Sequence, residues 1–129
     1  MIKCTELQIG DWVRIYDIEQ QALKATGRIW EIQQEDVTVD TDGTDAGMWY
    51  STEQCLQPVC ITPELLKKNG WFTKDGAIWY KKGPVRLGWY EKKKELIIGY
   101  HTMPIIVEFV HTLQHIIRLL GLEQEDIVL

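Results

Sequence analysis

Residues Pro104 to Leu120 have the sequence PIIVEFVHTLQHIIRLL, and Gly121 follows them. At about 100° per residue, the apolar side chains of this stretch share one face: Ile106, Phe109, Val110, Leu113, Ile116, Ile117 and Leu120. The other side carries the polar residues Glu108, His111, Thr112, His115 and Arg118. This pattern predicts a long amphipathic helix that ends at Gly121, covers a sheet with its apolar face and leaves both histidines outward.

A short helix and three strands are predicted just before this long helix. Thr62 is a favourable N-cap, Pro63 suits the first helical position and Asn69-Gly70 suits a helix end, so residues 63–68 are predicted to be helical. Residues 77–81, 85–90 and 96–100 have strand composition, with turn or charged residues between them. We therefore expect a three-stranded antiparallel meander under the C-terminal helix.

The first sixty residues contain five short segments of strand type, at 12–16, 27–32, 37–39, 48–50 and 55–61. Val37 and Val39 alternate with Thr38 and Asp40, as in a half-buried strand, and residues 51–54 suit a short helical turn before the last strand. This order resembles a small SH3-like antiparallel β-barrel, and an open antiparallel meander is the alternative. The predicted fold class is α+β, with an SH3-like module at 1–60 and an α+β module at 61–129.

The composition is that of a soluble globular protein, with 129 residues of which 45% are hydrophobic and 26% charged. The apolar run at residues 103–107 is far shorter than the ~20 residues that cross a bilayer, so we expect no membrane span and no secretory signal. Cys4, Cys55 and Cys60 are an odd number of cysteines. We expect reduced thiols and a cytoplasmic protein rather than a disulfide framework.

Charge is distributed unevenly along the chain. Residues 1–60 contain 4 basic and 11 acidic side chains, whereas residues 61–129 contain 10 basic and 8 acidic ones. The acidic half is therefore able to dock on the basic meander, within one molecule or between two copies, so a homodimer is one expectation.

A basic and aromatic segment between residues 67 and 94 is the candidate nucleic-acid site. Cations there attract phosphates and exposed rings stack on bases, which is how single strands are bound. The candidate residues are Lys81, Lys82, Arg86, Trp89, Tyr90, Lys92, Lys93 and Lys94. The alternative is a solvated meander in which about half of the rings belong to the core, because strand side chains alternate.

His111 and His115 are four residues apart, a spacing at which two imidazoles bind one metal ion on a helix. The metalloprotease motif needs glutamate after the first histidine, and this chain has Thr112. Two outward histidines without metal are the alternative. Because the nucleophile elbow, the P-loop and the dinucleotide-binding glycine motif are also missing from the sequence, we expect no cofactor and no enzymatic activity.

Two segments carry a family resemblance: ITPELLKKNGW at Ile61 to Trp71, and FVHTLQHIIRLLGL at Phe109 to Leu122. Their order and spacing resemble a group of small uncharacterised proteins of Bacteroidetes phages and mobile elements. In that group a Thr-Pro helix precedes a meander, and a C-terminal helix carries Val-His-x-Leu-Gln, here Val110 to Gln114. The resemblance implies an origin but no activity and no site residues.

Together these patterns lead us to expect a noncatalytic binding or adaptor protein of phage or mobile-element origin that recognises a protein partner. Binding of single-stranded nucleic acid through residues 67–94 is the alternative. A metal-dependent or thiol enzyme is the third hypothesis.

Overall fold

The computed structural model describes residues 1–41, 47–80, 85–90, 93–98, 101–121 and 126–129. These residues form two compact units, Met1–Val59 and Cys60–Leu129, which we call unit 1 and unit 2. Among the described helices, none is long and apolar enough to cross a membrane.

Unit 1 is one antiparallel sheet of five strands in the order β4-β3-β2-β1-β5. The strands are β1 (Trp12–Asp17), β2 (Ala22–Ile32), β3 (Asp36–Asp40), β4 (Met48–Thr52) and β5 (Leu56–Pro58). A 3₁₀ turn at Glu53–Cys55 precedes β5, and another lies at Cys4–Glu6. The predicted five antiparallel strands are confirmed. No ladder between β4 and β5 closes the sheet within the residues described here.

The core of unit 1 follows the two-residue period of its strands. Val13 and Ile15 on β1 are buried, as are Val37 and Val39 on β3, and Ile29 contributes from β2. The other members of the cluster are Ile2, Cys4, Leu7 and Leu56. Alternation therefore directs these strand side chains to one face of the sheet, and on β3 Thr38 is buried on the opposite face as well.

In the described part of unit 2, a second antiparallel sheet has five strands in the order β10-β9-β8-β7-β6 and is accompanied by two helices. The strands are β6 (Phe72–Thr73), β7 (Ile78–Tyr80), β8 (Val85–Tyr90), β9 (Lys93–Ile98) and β10 (His101–Ile106). The helices are α1 (Pro63–Lys68) and α2 (Val110–Leu119). The predicted three-stranded antiparallel meander is present as β7, β8 and β9, and two strands that were not predicted, β6 and β10, pair on either side of it.

Helix α1 forms as its sequence predicts. The Thr62 hydroxyl accepts a hydrogen bond from Leu65 N at 3.2 Å, and Pro63 stands in the first turn, where no backbone donor is needed. Gly70, with φ of 84°, follows the helix end at Asn69. Leu66 is the buried anchor of this helix.

The predicted start of the long helix at Pro104 is wrong, since α2 begins at Val110 and residues 101–106 form strand β10. β10 is an edge strand paired with β9, and its register shifts between Thr102 and Ile106, around Pro104. Proline lacks a backbone donor and is tolerated at bulges and edges, while the β-branched residues that follow favour a strand. The predicted stop is confirmed, because Gly121 adopts φ of 73° just after the helix.

The buried face of α2 also differs from the predicted face. Val110, Leu113 and Ile117 are buried as expected, but His111 and Gln114 are buried beside them. Ile106 and Leu120, predicted to be core, are exposed. The expectation that both histidines point outward is therefore wrong for His111, because the later helix start leaves a shorter apolar stripe, and neighbouring polar residues complete the buried face.

The chain segment at residues 126–129 is attached to both helices of unit 2. Ile127 is buried, and the Gln114 amide donates to Asp126 Oδ1 at 3.0 Å. The Asn69 side chain donates to Val128 O and accepts from Val128 N, both at 2.7 Å. Lys68 Nζ donates to Leu129 O. Ile127 thus joins the interior of unit 2, while Val128 remains exposed.

Candidate functional site

The predicted basic and aromatic residues are only partly brought together by the structure. Lys81, Lys82 and Lys92 lie outside the described residues. Arg86, Trp89 and Tyr90 lie on β8, where Trp89 pairs with Lys94 and Tyr90 with Lys93 of β9. The backbone register therefore places four of the predicted positions next to one another at one end of the β8–β9 pair.

A row of side chains crosses three strands of unit 2 on one face of the sheet. Phe72 pairs with Tyr80, and Tyr80 pairs with Arg86. The Phe72 and Tyr80 rings are stacked with centroids 5.7 Å apart, and the Arg86 guanidinium lies 5.9 Å from the Tyr80 ring. Trp79 and Leu87, the neighbours of this row in sequence, are buried. Phe72 and Tyr80 belong to the basic and aromatic segment, but they were not among its candidate binding residues.

The turn between β6 and β7 holds this row in register. One carboxylate oxygen of Asp75 accepts hydrogen bonds from Ala77 N at 2.9 Å and from Ile78 N at 3.3 Å. These backbone donors hold the pKa of Asp75 below its usual value. The Thr73 hydroxyl accepts from Gly76 N at 2.8 Å. Asp75, one of two acids in the basic segment, is therefore engaged in turn formation.

The histidine pair on α2 is close but unequal in exposure. The ring centroids of His111 and His115 are 5.9 Å apart with an interplanar angle of 74°, and His111 also stacks on Phe109. His111 is buried and His115 half-buried. Across the described ranges, no group of three or more His, Cys, Asp or Glu side chains is arranged to hold a metal ion. Metal binding by this pair stays a prediction.

The three cysteines have different surroundings and no disulfide joins them. Burial raises the pKa of the Cys4 thiol above its usual value, and the neighbouring carboxylates of Glu53 and Asp36 add to this effect. A raised pKa reduces the thiolate fraction, which is the opposite of what an activated nucleophile needs. Cys55 is half-buried and Cys60 exposed.

A groove lies at one end of unit 1, beside β4. It encloses about 470 Å³ and is lined by the end of β1, the turn that follows, Lys24 on β2, strand β4 and Cys55. Ile15 of the core forms part of its lining, and Tyr16, Trp49 and Tyr50 supply its rings. Volumes of this size are typical of sites that hold a small ligand or a few side chains of a partner.

The rings of this groove are accessible to solvent. Trp49 is 41% and Tyr50 82% exposed, and Ile18 in the adjoining turn is also exposed. A local cluster of large exposed apolar side chains next to a concavity is typical of an interaction surface.

The turn at the end of the groove is held by its own polar contacts. Asp17 Oδ1 accepts from Gln20 N at 3.0 Å, and Asp17 Oδ2 lies 3.9 Å from Lys24 Nζ. Lys24 Nζ also donates to the Gln20 side chain at 2.5 Å. Glu19 is exposed beside them and lines the groove. The groove therefore carries two carboxylates and one ammonium group at this end.

Strand β4 borders the groove and has an unpaired outer edge within the described sheet. Hydrogen bonds at both ends of the β3–β4 ladder show which pairs are hydrogen-bonded: Thr41 N donates to Gly47 O at 2.9 Å, and Glu53 N donates to Glu35 O at 3.2 Å. In an antiparallel ladder hydrogen-bonded and non-hydrogen-bonded pairs alternate, so the hydrogen-bonded pairs between these ends are Val39–Trp49 and Val37–Ser51. The backbone N–H and C=O groups of Trp49 and Ser51 are thus hydrogen-bonded to β3. The backbone N–H groups of Met48, Tyr50 and Thr52 point away from it.

Sequence reasoning missed this groove. The sequence predicts strands at 12–16 and 48–50 and indicates no site between them. The sequence signal for the groove was Trp49-Tyr50, two adjacent aromatic residues on a short strand with few apolar neighbours. Only the fold brings that strand near the end of β1.

Comparisons with protein-family models, with curated proteins and with solved structures gave no match for this chain. The resemblance to proteins of Bacteroidetes phages and mobile elements stays a prediction.

Proposed function

We propose that this chain is a noncatalytic binding protein that holds a segment of a protein partner in the groove of unit 1. The observation that carries the proposal is the 470 Å³ groove bordered by the exposed rings of Trp49 and Tyr50. Exposed tyrosine and tryptophan side chains supply much of the binding energy in protein interfaces. Neither ring belongs to the buried hydrophobic cluster of unit 1, so burial in that core does not explain why these residues are aromatic.

We also propose that unit 1 is an SH3-like barrel. The strand order β4-β3-β2-β1-β5 and the 3₁₀ turn before β5 support it, since both belong to that architecture. The cytoplasmic location and the phage or mobile-element origin remain proposals of the same kind. They rest on the thiols of Cys4, Cys55 and Cys60 and on the family resemblance.

A display library of random peptides tests the binding proposal. The full chain is immobilised and peptides are selected against it, and the enriched peptides are then measured against Tyr50→Ala and Trp49→Ala. We expect each substitution to weaken binding by about tenfold or more, as for an interface ring. Trp30→Ala is the matched control, because Trp30 is exposed on β2 and does not line the groove. Selection without enrichment, or equal binding by all variants, would contradict the proposal.

The row Phe72–Tyr80–Arg86 supports a second candidate function, binding of single-stranded nucleic acid by unit 2. It combines a stacked ring pair, in which Phe72 is exposed and Tyr80 half-buried, with a cation, and this is an arrangement that holds bases and phosphates. Labelled oligothymidylate is titrated at two salt concentrations. We expect binding that weakens at higher salt, with Phe72→Ala and Arg86→Gln each reducing affinity by several-fold. Lys3→Gln, in unit 1, is the control. An affinity for oligothymidylate that is unchanged by salt or by these substitutions would exclude this function.

A further inference from the structure

We infer that the partner segment is an extended, basic peptide that pairs with β4 as an additional strand and places a cationic side chain in the groove. This inference rests on the proposed function of the same groove and specifies its occupant. It is carried by three features: the edge of β4 that no described strand pairs with, the composition of that edge and the charge of the unit.

The backbone edge of β4 is suited to strand addition. The N–H groups of Met48, Tyr50 and Thr52 point away from β3 because the hydrogen-bonded pairs of this ladder are those of Trp49 and Ser51. The Thr52 carbonyl accepts from the Ser51 hydroxyl at 3.1 Å. The N–H and C=O of Tyr50 lie at the centre of this edge, where one antiparallel residue of a partner strand can bond to both.

The two edge strands of the unit 1 sheet differ in how they are protected against pairing. β5 has three residues and ends at Pro58, and proline cannot donate to a ladder. β4 has five residues, MWYST, with no proline and no charged side chain. Edge strands usually carry such protection because an open edge aggregates. An unprotected β4 beside a groove is consistent with an edge kept open for a partner.

The direction of the strand brings alternate partner side chains over the groove. Trp49 and Ser51 share the side of the sheet that Val37 and Val39 bury, and the groove lies on that side against Ile15. In a partner strand beside β4, every second side chain takes the same side. Those side chains reach the end of β1, where Asp17 and Glu19 line the groove.

Charge selects the chemistry of the occupant. Asp17 and Glu19 face one lining cation, Lys24, and residues 1–60 carry 11 acidic against 4 basic side chains. A lysine or arginine in the groove gains attraction from the carboxylates and from the rings of Tyr16 and Trp49. An acidic segment would be repelled by the whole unit.

The composition of the selected peptides is the first test. We expect arginine and lysine to be enriched about twofold or more over the starting library, at alternate positions, with aspartate and glutamate depleted. The double variant Asp17→Asn with Glu19→Gln should bind these peptides about fivefold or more weakly. Glu31→Gln with Glu35→Gln is the matched control, since these exposed acids do not line the groove.

Strand pairing is tested on one enriched peptide synthesised in two forms, with N-methyl groups on its odd or on its even amides. One form should lose about tenfold or more in affinity and the other much less, because only alternate amides meet β4. On binding, the amides of Tyr50 and Thr52 should exchange with solvent about tenfold more slowly, while those of Trp49 and Ser51 change little.

The outcomes separate the two proposals. If no peptide binds in a manner that depends on Tyr50, the proposed function fails and this inference fails with it. If peptides bind the groove without basic enrichment, or if both methylated forms bind equally, the function stands and this inference is overturned. A dimer formed through β4, seen by sedimentation and abolished by Tyr50→Pro, would also overturn it in favour of a second copy as occupant.

Discussion

At the scale of single residues, Asn69 shows how one side chain acquires two structural roles. It stands at the C-terminal end of α1, where its amide donates to Leu65 O at 2.9 Å. The same side chain donates to and accepts from the backbone of Val128. A side-chain amide has the same donor and acceptor pair as a peptide group, so it replaces a strand partner for the segment at 126–129.

Replacing Asn69 should release that segment. We expect Asn69→Ala to lower the free energy of unfolding of unit 2 by about 1–2 kcal/mol, because both backbone groups of Val128 lose their side-chain partner, while Leu65 O keeps its bond from the backbone N–H of residue 69. The Val128 amide should then exchange with solvent about tenfold faster in NMR measurements. Asn69→Asp keeps an acceptor, so the Val128 amide should remain protected. Gln34→Ala, at an exposed position, is the control. Unchanged exchange at Val128 in Asn69→Ala would contradict this role.

Cys4 gives a second prediction at this scale. Its thiol is buried and its pKa is raised above the usual value, which lowers its thiolate fraction at pH 8, whereas Cys60 is exposed to solvent. We expect iodoacetamide to alkylate Cys4 on the order of tenfold or more slowly than Cys60, measured by mass spectrometry of peptides. In urea the difference should disappear. Equal rates in the folded protein would show that burial does not protect Cys4.

At the scale of elements, Gly27 sets how closely β2 and β3 approach. A Cβ at this position would lie 2.9 Å from Asp40 C and 2.9 Å from Val39 Cγ1, and it would overlap Asp40 O. The obstacle is backbone, which moves only if the strand moves. A glycine in the middle of a strand is normally unfavourable, so here the close approach of the neighbouring strand explains it.

We therefore expect Gly27→Ala to destabilise unit 1 by about 1–3 kcal/mol and to shift the amide resonances of Val39 and Asp40, measured by urea unfolding and NMR. Gly76→Ala is the comparison, since its Cβ would meet nothing within 4 Å and only the positive φ of 79° is strained. Its resonance changes should stay within the turn at 73–77. If Gly27→Ala left the free energy of unfolding unchanged, β3 would be able to move away from the added methyl group without loss of stability.

The boundary between β10 and α2 is also decided at the scale of elements. The helical period from Val110 to Leu119 predicts α2 correctly, but the apolar residues just before it fit a strand as well as a helix. Because residues 101–106 pair with β9, they form a strand and not the first turns of the helix. Short apolar runs are ambiguous from sequence because both structures bury them.

At the scale of the whole molecule, each unit has its own buried residues. Leu56 on β5 and Leu113 on α2 are fully buried members of unit 1 and unit 2. Substitution of a buried leucine by alanine costs about 2–5 kcal/mol, through lost burial and the cavity left behind.

We expect Leu56→Ala to accelerate amide exchange in β1 to β5 and Leu113→Ala to accelerate it in unit 2, each leaving the other unit nearly unchanged, measured by hydrogen exchange on the full chain. Leu119→Ala is the control, because Leu119 is 86% exposed and its loss should change stability by less than about 0.5 kcal/mol. If one substitution accelerated amide exchange equally in both sheets, the two units would unfold as one cooperative unit instead.

The sequence alone determined the elements whose signals are local. The capped helix α1, the stop at Gly121 and the alternating strand β3 depend on residues adjacent in the chain, and all three were predicted. Tertiary structure alone decided the partners. It paired β10 with β9, buried His111, gave Asn69 its second contact and brought β4 to the end of β1 to form the groove. These outcomes depend on strand register and on which residues remain to be covered, and neither is written in any single local stretch of the chain.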